Sequence, residues 1–357
     1  MSQLRKILVT GGAGFVGSSL AVSLAAARPE TQVIALDNLH RRGSELNLPR
    51  LDEAGVDFVR GDVRRPEDLA PFGSVDALIE CSAEPSVMSG TDGDTGYVFE
   101  TNLVGAYNCL ELARRSGAQF IFLSSSRVYP LDGLRGAELD ERPTRFELAE
   151  IQPTPGWSSE GVGEDMPLAG ARTLYGTTKL SAEFLCAEYQ AQFGVPMVID
   201  RCGVIAGPWQ MGKVDQGVFT HWMLAHSFGR PLSYIGFGGN GKQVRDLLHV
   251  DDLVDLIERQ LDEPERWAGH TFNVGGGREV SLSLLETTEI CRRLTGNEIE
   301  VGSVAEDRDG DVPVYLSDCS RIHGHSSWRP SRDAEGILRD IHEWIAADPE
   351  RIEESLA

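Results

Sequence analysis

The stretch "LYGTTK" sets Tyr175 and Lys179 four residues apart. The surrounding run "LYGTTKLSAEFLCAEYQAQFG" has helical composition, so the two side chains are expected on one face, one turn apart. Lysine is scarce in this chain, with four against twenty-nine arginines. A phenol with an ordinary pKa of about 10 is a poor base at neutral pH. An ammonium beside it favours the phenolate, which turns the pair into a proton acceptor for an alcohol. Lysine suits this role because its compact charge also reaches ribose hydroxyls. A third group is needed to hold the substrate oxygen, and the serine run 124–126 offers one. Ser125 is the expected participant and Ser126 its nearest rival. The bland alternatives are a surface helix pair and a solvated strand end.

Such groups need a scaffold, and the first half of the chain supplies a rhythm of strands and helices. "KILVT" (6–10), "QVIALD" (32–37), "VDFVRGD" (56–62), "VDALIEC" (75–81) and "AQFIFLSSS" (118–126) read as strands. Between the last two, "YVFETNLVGAYNCLELARRSG" has the apolar spacing and terminal glycine of a helix. This alternation predicts an α/β protein with a doubly wound parallel sheet. Ligands of such sheets bind beyond the carboxyl ends of the strands, where the strand order reverses.

The first strand runs into Gly11, Gly14 and Gly17, and a helix follows. In that setting the first glycine permits a tight turn, the second lets backbone approach a pyrophosphate, and the third allows close helix packing. Phe15 and Val16, between the last two glycines, open the helix and belong to the same cofactor cradle. Asp37 ends the second strand, placed to accept hydrogen bonds from the adenosine ribose hydroxyls, with Asn38 beside it. Its carboxylate would repel a 2′-phosphate and favours NAD over NADP; Arg41 and Arg42 nearby are the counterargument. Asp62 and Val63, after the third strand, are placed to touch adenine, although for Asp62 a turn-forming role fits equally well.

Bulk properties narrow the function further. A chain of 357 residues exceeds one ordinary core, so two lobes are expected. The formal charge of −22 argues against nucleic acid or an anionic membrane as partner, since both require a positive field. Six scattered cysteines without a CxxC pair fit free thiols in a reducing compartment, and no metal-ligand spacing is present. "HVDDL" joins His249 to carboxylates, but a helix start with acidic caps explains it better than a metal. No apolar stretch approaches the ~18 residues of a membrane span, and the first residues lack a signal peptide. A cytoplasmic location is expected.

Taken together, "VTGGAGFVGSSL", "DNL", "GDVR", "NLVGAYNCLELAR", "SSSRVY", "YGTTKLSAE", "QVRDLLHVDDL", "FNVGGG" and "WRP…EGILRDIHEWI" resemble the extended short-chain dehydrogenase/reductase family, in its nucleotide-sugar epimerase and dehydratase group. The resemblance runs from about Ile7 to Ile345. Within that group "DNLHRRG", "TRFEL", "VDQGVFTHW" and "GGNGKQVRDLLHVDDL" are most similar to the CDP-paratose 2-epimerase branch. The resemblance implies a Rossmann domain over 1–203 with tightly bound NAD. It also implies a smaller substrate-binding lobe, mainly 204–357, from which about 245–275 returns to the sheet. A homodimer is implied as well. By motif, Ser125, Tyr175 and Lys179 take the catalytic positions, and Asn102 matches the asparagine that supports the active-site region.

The same comparison bears on the reaction. Dehydratases of the group carry Asp and Glu directly after the catalytic Ser/Thr, whereas this chain has Ser126 and Arg127. Elimination of water requires a general acid at the leaving hydroxyl, so epimerisation through a transient ketone is expected instead. Many 4-epimerases carry an asparagine where "RCGVIAGP" places Val204, which leans toward a different carbon. Arg245 and Arg308 match positions that hold a nucleotide diphosphate, and Ser126 joins the substrate-binding set. "CSAEPSV", with Glu84 and Ser86, is expected to line the sugar site. Glu84 stands where related enzymes often have glutamine, and its part in the chemistry stays open. The long segment from Pro130 to Thr173 reads as a lid or pocket wall.

Overall fold

A computed structural model describes residues 4–90, 93–212 and 216–356. The first compact unit comprises 1–125, 174–201 and 253–271, and the second 126–173, 202–252 and 272–357. The segment 126–173 therefore groups with the second unit, ahead of the boundary near 203 expected from sequence.

The central sheet has seven strands: β1 (Lys6–Thr10), β2 (Gln32–Asp37), β3 (Asp57–Arg60), β4 (Ala77–Glu80), β5 (Gln119–Ser125), β6 (Met197–Cys202) and β7 (His270–Val274). Their order is β7-β6-β5-β4-β1-β2-β3, and the pairs among the first five strands are parallel. The reversal of order falls between β1 and β4, so the carboxyl ends of those two strands are the place to seek a ligand.

The residues of β1, β4 and β5 explain their central position. Ile7, Leu8, Val9, Leu78, Ile79, Phe120, Ile121 and Phe122 are fully buried, as apolar strands covered on both faces must be. The carboxylate of Asp76 ties in the amino end of β1, accepting the amides of Arg5 and Lys6 at 2.8 Å each. One face of the sheet is covered by α1 (Phe15–Ala27), whose buried Gly17, Ser18, Ala21 and Leu24 keep that contact small and close. In the core cluster, β-strand residues pack with Cys109 and Leu110 of α2 (Gly105–Ser116) and with Ala182 and Cys186 of α3 (Leu174–Phe193).

The helix expected before β5 is interrupted in an informative way. A helical turn at Gly96–Phe99 leads into a π-helical turn at Glu100–Val104, and only then does α2 begin. Such widened turns commonly sit at functional sites, because they re-aim one side chain within an otherwise regular helix.

In the second unit, Val244–His249 is the hub of a small sheet. It pairs with Val204–Ala206 and Val314–Tyr315 in parallel and with Ser281–Ser283 antiparallel. The expectation from sequence is that about 245–275 returns to the large sheet. The stretch 253–271 does belong with the first unit and β7 does join its sheet. Arg245, however, lies on a strand of the second unit. Next to it on that strand, the buried carboxylate of Asp246 accepts the Gly277 amide at 3.2 Å. The segment 126–173 is built rather than loose. It holds a short helix (Leu131–Arg135) and two hairpins (139–148 and 157–162), with the Trp157 indole donating to the Gly133 carbonyl at 2.9 Å.

Candidate active site

The glycine turn follows β1 directly. Gly11 has φ +62°, which a side chain would strain. A Cβ on Gly17 would overlap the carbonyl oxygen of Gly11, so the helix and the turn touch backbone to backbone. α1 opens at Gly14 with no side-chain cap, which leaves the amides around Phe15, Val16 and Gly17 for an anion. The turn is further fixed by Asn47, whose amide donates to the Ala13 carbonyl at 2.9 Å, a support that sequence reading missed.

Asp37 ends β2 against this turn. Its carboxylate accepts the amide of Ala13 at 3.0 Å and that of Leu39 at 2.8 Å. Burial raises its pKa, and the amides of Leu39, Ala13 and Gly14 oppose the rise. Asn38 links Asp37 to the next strand end, donating to Asp62 at 3.2 Å. Asp62 is gripped by the Arg64 guanidinium at 2.7 Å, and despite partial burial that pairing lowers its pKa to about 2. The Arg64 guanidinium also lies 4.8 Å from the Tyr97 ring centre, and the His40 ring centre is 4.3 Å from the same ring centre. The side chain of Val63 packs in the core, and its carbonyl accepts the amide of Asn108 at 2.8 Å. The structure thus brings Gly11, Gly14, Phe15, Val16, Gly17, Asp37, Asn38 and Asp62 to the carboxyl end of β1–β3, with only the backbone of Val63 able to share in it.

At the carboxyl ends of β4 and β5 a second group assembles. Tyr175 lies in the first turn of α3 and is nearly buried; Lys179, one turn on, is 2 % exposed. The Lys179 ammonium donates to the Leu123 carbonyl at 3.0 Å and sits 4.7 Å from the centre of the Phe122 ring. Ser124 is committed elsewhere: its hydroxyl donates to Glu183 at 2.5 Å, and Glu183 is held by Arg201 at 2.7 Å in a buried ion pair. Ser125 is the last residue of β5, at its carboxyl end. Ser126 begins a tight turn in the second unit.

Asn102, at the centre of the π-helical turn, stitches this group together. Its side chain accepts the Glu84 amide at 2.8 Å and donates to the Glu84 carbonyl at 3.2 Å and to Thr178 at 3.3 Å. Thr178 in turn donates to the carbonyl of Tyr175 at 2.8 Å. The loop holding Glu84 and Ser86 is thereby fixed to the first turn of α3. Within that loop the Glu84 carboxylate accepts the Ser86 amide at 3.1 Å, and the Ser86 hydroxyl accepts the Met88 amide at 3.2 Å.

One buried acid of this group escaped sequence reading. Glu80 is the last residue of β4, 1 % exposed, with its carboxylate 3.5 Å from the Lys179 ammonium. The available signal was an acidic residue near the end of an otherwise apolar strand.

In the second unit Arg245 is already engaged. Its guanidinium donates to Asp311 at 2.6 Å and to the carbonyls of Val312 and Val244 at 2.7 Å each. Arg127 and Arg135 also brace this loop, donating to the carbonyls of Gly310 at 3.0 Å and Asp311 at 2.9 Å. Arg308 stands on the same loop, near enough to His221 to help burial lower that imidazole's pKa. Of the "VDQGVFTHW" stretch, Val214 and Asp215 lie outside the described residues. His249 accepts the Asp251 amide at 3.0 Å, and Asp252 binds Ser331 and Arg332. The "HVDDL" segment is therefore a helix start tied by carboxylates, and no metal-holding cluster is found among the described residues. No helix among the described residues is long and apolar enough to cross a membrane.

Residues 7–275 match the NAD dependent epimerase/dehydratase family. The chain belongs to that family. Its similarity to members extends well past the matched segment. It is 28 % identical to the CDP-paratose 2-epimerase of Salmonella typhi over 354 residues, covering 96 % of this chain and 99 % of that protein. It is 30 % identical to a dTDP-glucose 4,6-dehydratase of Actinoplanes sp., with 96 % and 98 % covered. Among solved structures, the UDP-glucuronic acid 4-epimerase of Bacillus cereus, in complex with UDP-glucuronic acid and NAD, superposes with a TM-score of 0.77 over 96 % of this chain and 99 % of that one, at 23 % identity. Membership of this epimerase/dehydratase family makes the chain an NAD-dependent enzyme on a Rossmann-type sheet.

Proposed function

We propose that this enzyme is a nucleotide-sugar epimerase of the CDP-paratose/CDP-tyvelose 2-epimerase type, with Ser125, Tyr175 and Lys179 as its catalytic residues. The observation that carries the reading is the residue pair following Ser125. A 4,6-dehydration needs a general acid at the leaving hydroxyl. Here that place is taken by Ser126 and by Arg127, whose guanidinium is bound to the Gly310 carbonyl. Full-length similarity to a CDP-paratose 2-epimerase supports the same choice.

The cofactor cradle fits NAD on the structure's own terms. The backbone contact between Gly17 and Gly11 leaves no room for side chains, the uncapped start of α1 suits a pyrophosphate, and the Asp37 carboxylate faces the turn where a ribose would lie. Gly11, Gly14, Phe15, Val16, Gly17, Asp37, Asn38, Asp62, Val63, Tyr175 and Lys179 would hold it. When bound, NAD supplies a hydride acceptor that later gives the hydride back. Tyr175 takes the proton from the hydroxyl on the reacting carbon and returns it after the carbonyl has presented its other face. Lys179 stabilises the phenolate. Ser125 donates a hydrogen bond to the reacting oxygen, where charge develops. Ser126, Glu84, Ser86, Arg245 and Arg308 are assigned to the substrate. A homodimer is proposed through the exposed aromatic residues of α2 and α3, Tyr107, Phe184 and Phe193.

A second reading, a 4-epimerase or 4,6-dehydratase, is favoured by the 30 % identity to a dehydratase. One assay separates them. Native enzyme is incubated with CDP- and UDP-sugars deuterated at C2 or C4, and products are followed for configuration and label. Inversion at C2 of a CDP-sugar with the label retained is the expected result. Loss of water, inversion at C4, or net accumulation of NADH would overturn the proposal.

A further inference from the structure

We propose that Glu80 is a positioning residue for the Tyr175–Lys179 pair: its buried carboxylate anchors the Lys179 ammonium and supplies its counter-charge. This rests on the reading of Tyr175 and Lys179 as the proton-handling pair.

The geometry begins at the carboxyl end of β4. Glu80 is 1 % exposed and Lys179 2 %. One carboxylate oxygen of Glu80 accepts the Ser82 hydroxyl, which is 3.2 Å from the Thr10 hydroxyl. The other oxygen accepts no hydrogen bond among the described residues and faces the Lys179 ammonium at 3.5 Å. The ammonium is otherwise held by the Leu123 carbonyl and the Phe122 ring. A carbonyl and a ring steer the ammonium but carry no net charge. An ammonium buried in such surroundings tends to lose its proton, and a neutral amine cannot favour a phenolate.

Among the described residues, the other groups around the pair do not supply a counter-charge. Cys81 just after β4, Cys109 on α2 and Cys186 on α3 are all pushed up by burial, so they remain neutral thiols. Glu183 on α3 is spent on Arg201 of β6 and on Ser124. Tyr175 is the group whose proton is to be moved. That leaves Glu80. Burial alone would lower the Lys179 pKa, yet the fields of Glu80 and Tyr175 leave it raised. Burial also raises Glu80, against the pull of Lys179 and Ser82. These two shifts point in opposite senses for an ion pair. The contacts decide for the charged form, because a hydroxyl and an ammonium are both aimed at the carboxylate.

The chain's four lysines make the test direct. The NAD-loaded protein is labelled with 13Cε-lysine, the Lys179 signal is assigned with Lys179→Met, and its titration is followed by NMR. In Glu80→Gln the Lys179 midpoint is expected to fall by about one pH unit or more, a tenfold change in the dissociation constant. Glu80→Asp, which keeps the charge, should restore most of it. Ser82→Ala, a milder change, should lower the midpoint by a smaller amount, and it decides the question if Glu80→Gln does not fold. An unchanged midpoint in folded Glu80→Gln, or in Ser82→Ala when that variant stands alone, overturns the proposal. The alkaline limb of kcat/KM for CDP-paratose should move down with the midpoint. A shifted NMR midpoint without turnover of any nucleotide sugar would uphold the role of Glu80 and defeat the epimerase reading instead.

Discussion

Tyr175 carries most of the chemical argument at the scale of single residues. Replacing it with phenylalanine removes one oxygen from a nearly buried ring, and most of the residues proposed to hold NAD lie on other elements. Tyr175→Phe is expected to lower kcat by about 10²–10⁴-fold, the usual worth of a positioned acid–base group. NAD released on denaturation should match the wild type, and undiminished turnover would refute the assignment. Asp200, on β6, gives a prediction about stability. It is fully buried, and burial raises its pKa to about 7, against the hydrogen bond from Gln260. A carboxyl raised on folding binds its proton more tightly in the folded state. Its contribution is therefore intact below the unfolded value near 3.8 and is lost as pH rises through about 7. By pH 8 the loss is on the order of 4 kcal/mol. Asp200→Asn keeps the oxygen that Gln260 binds and cannot ionise. Its Tm should exceed that of the wild type at pH 8 and converge with it near pH 4; parallel Tm curves would show that Asp200 carries no such penalty.

Elements explain why these residues meet. The turn from β1 into α1 works because backbone touches backbone at Gly11 and Gly17. Gly17→Ala would force the carbonyl of Gly11 and the start of α1 apart. The expected outcome is loss of bound NAD together with a lower Tm, and an alanine variant that retains full NAD would show that the turn tolerates the shift. Sequence pattern made this element legible, since three glycines after a strand and before a helix have few other uses. The π-helical turn was not legible. "YVFETNLVGAYNCLELARRSG" has one continuous helical pattern, while the widening at Glu100–Val104 coincides with the bonds Asn102 makes to Glu84, 18 residues away, and to Thr178, 76 residues away. Glu80 was missed for a related reason. An acid at a strand end usually meets solvent, and only the return of α3 over that strand end, with Lys179 on its inner face, makes this one a buried ion.

For the whole molecule, the open question is assembly. The exposed Tyr107, Phe184 and Phe193 sit on two helices of the first unit. If they bury one another in a pair of chains, light scattering should give twice the 39.0 kDa chain mass, and Phe184→Glu should halve it. A wild-type monomer would dismiss the dimer. The division into units also shows where sequence reading stops. Alternating strands and helices made the sheet and the glycine turn legible, and motif order suggested the proposed catalytic residues, because each depends on neighbours within a few residues. The residue types Ser126 and Arg127, which carry the proposed choice against elimination, are read from sequence alone. Only the tertiary structure assigned 126–173 and the strand of Arg245 to the second unit, bound Arg245 to Asp311, and set Glu80 against Lys179. Those outcomes depend on contacts between residues 66 to 183 positions apart, and no local pattern encodes which buried charge will find which partner.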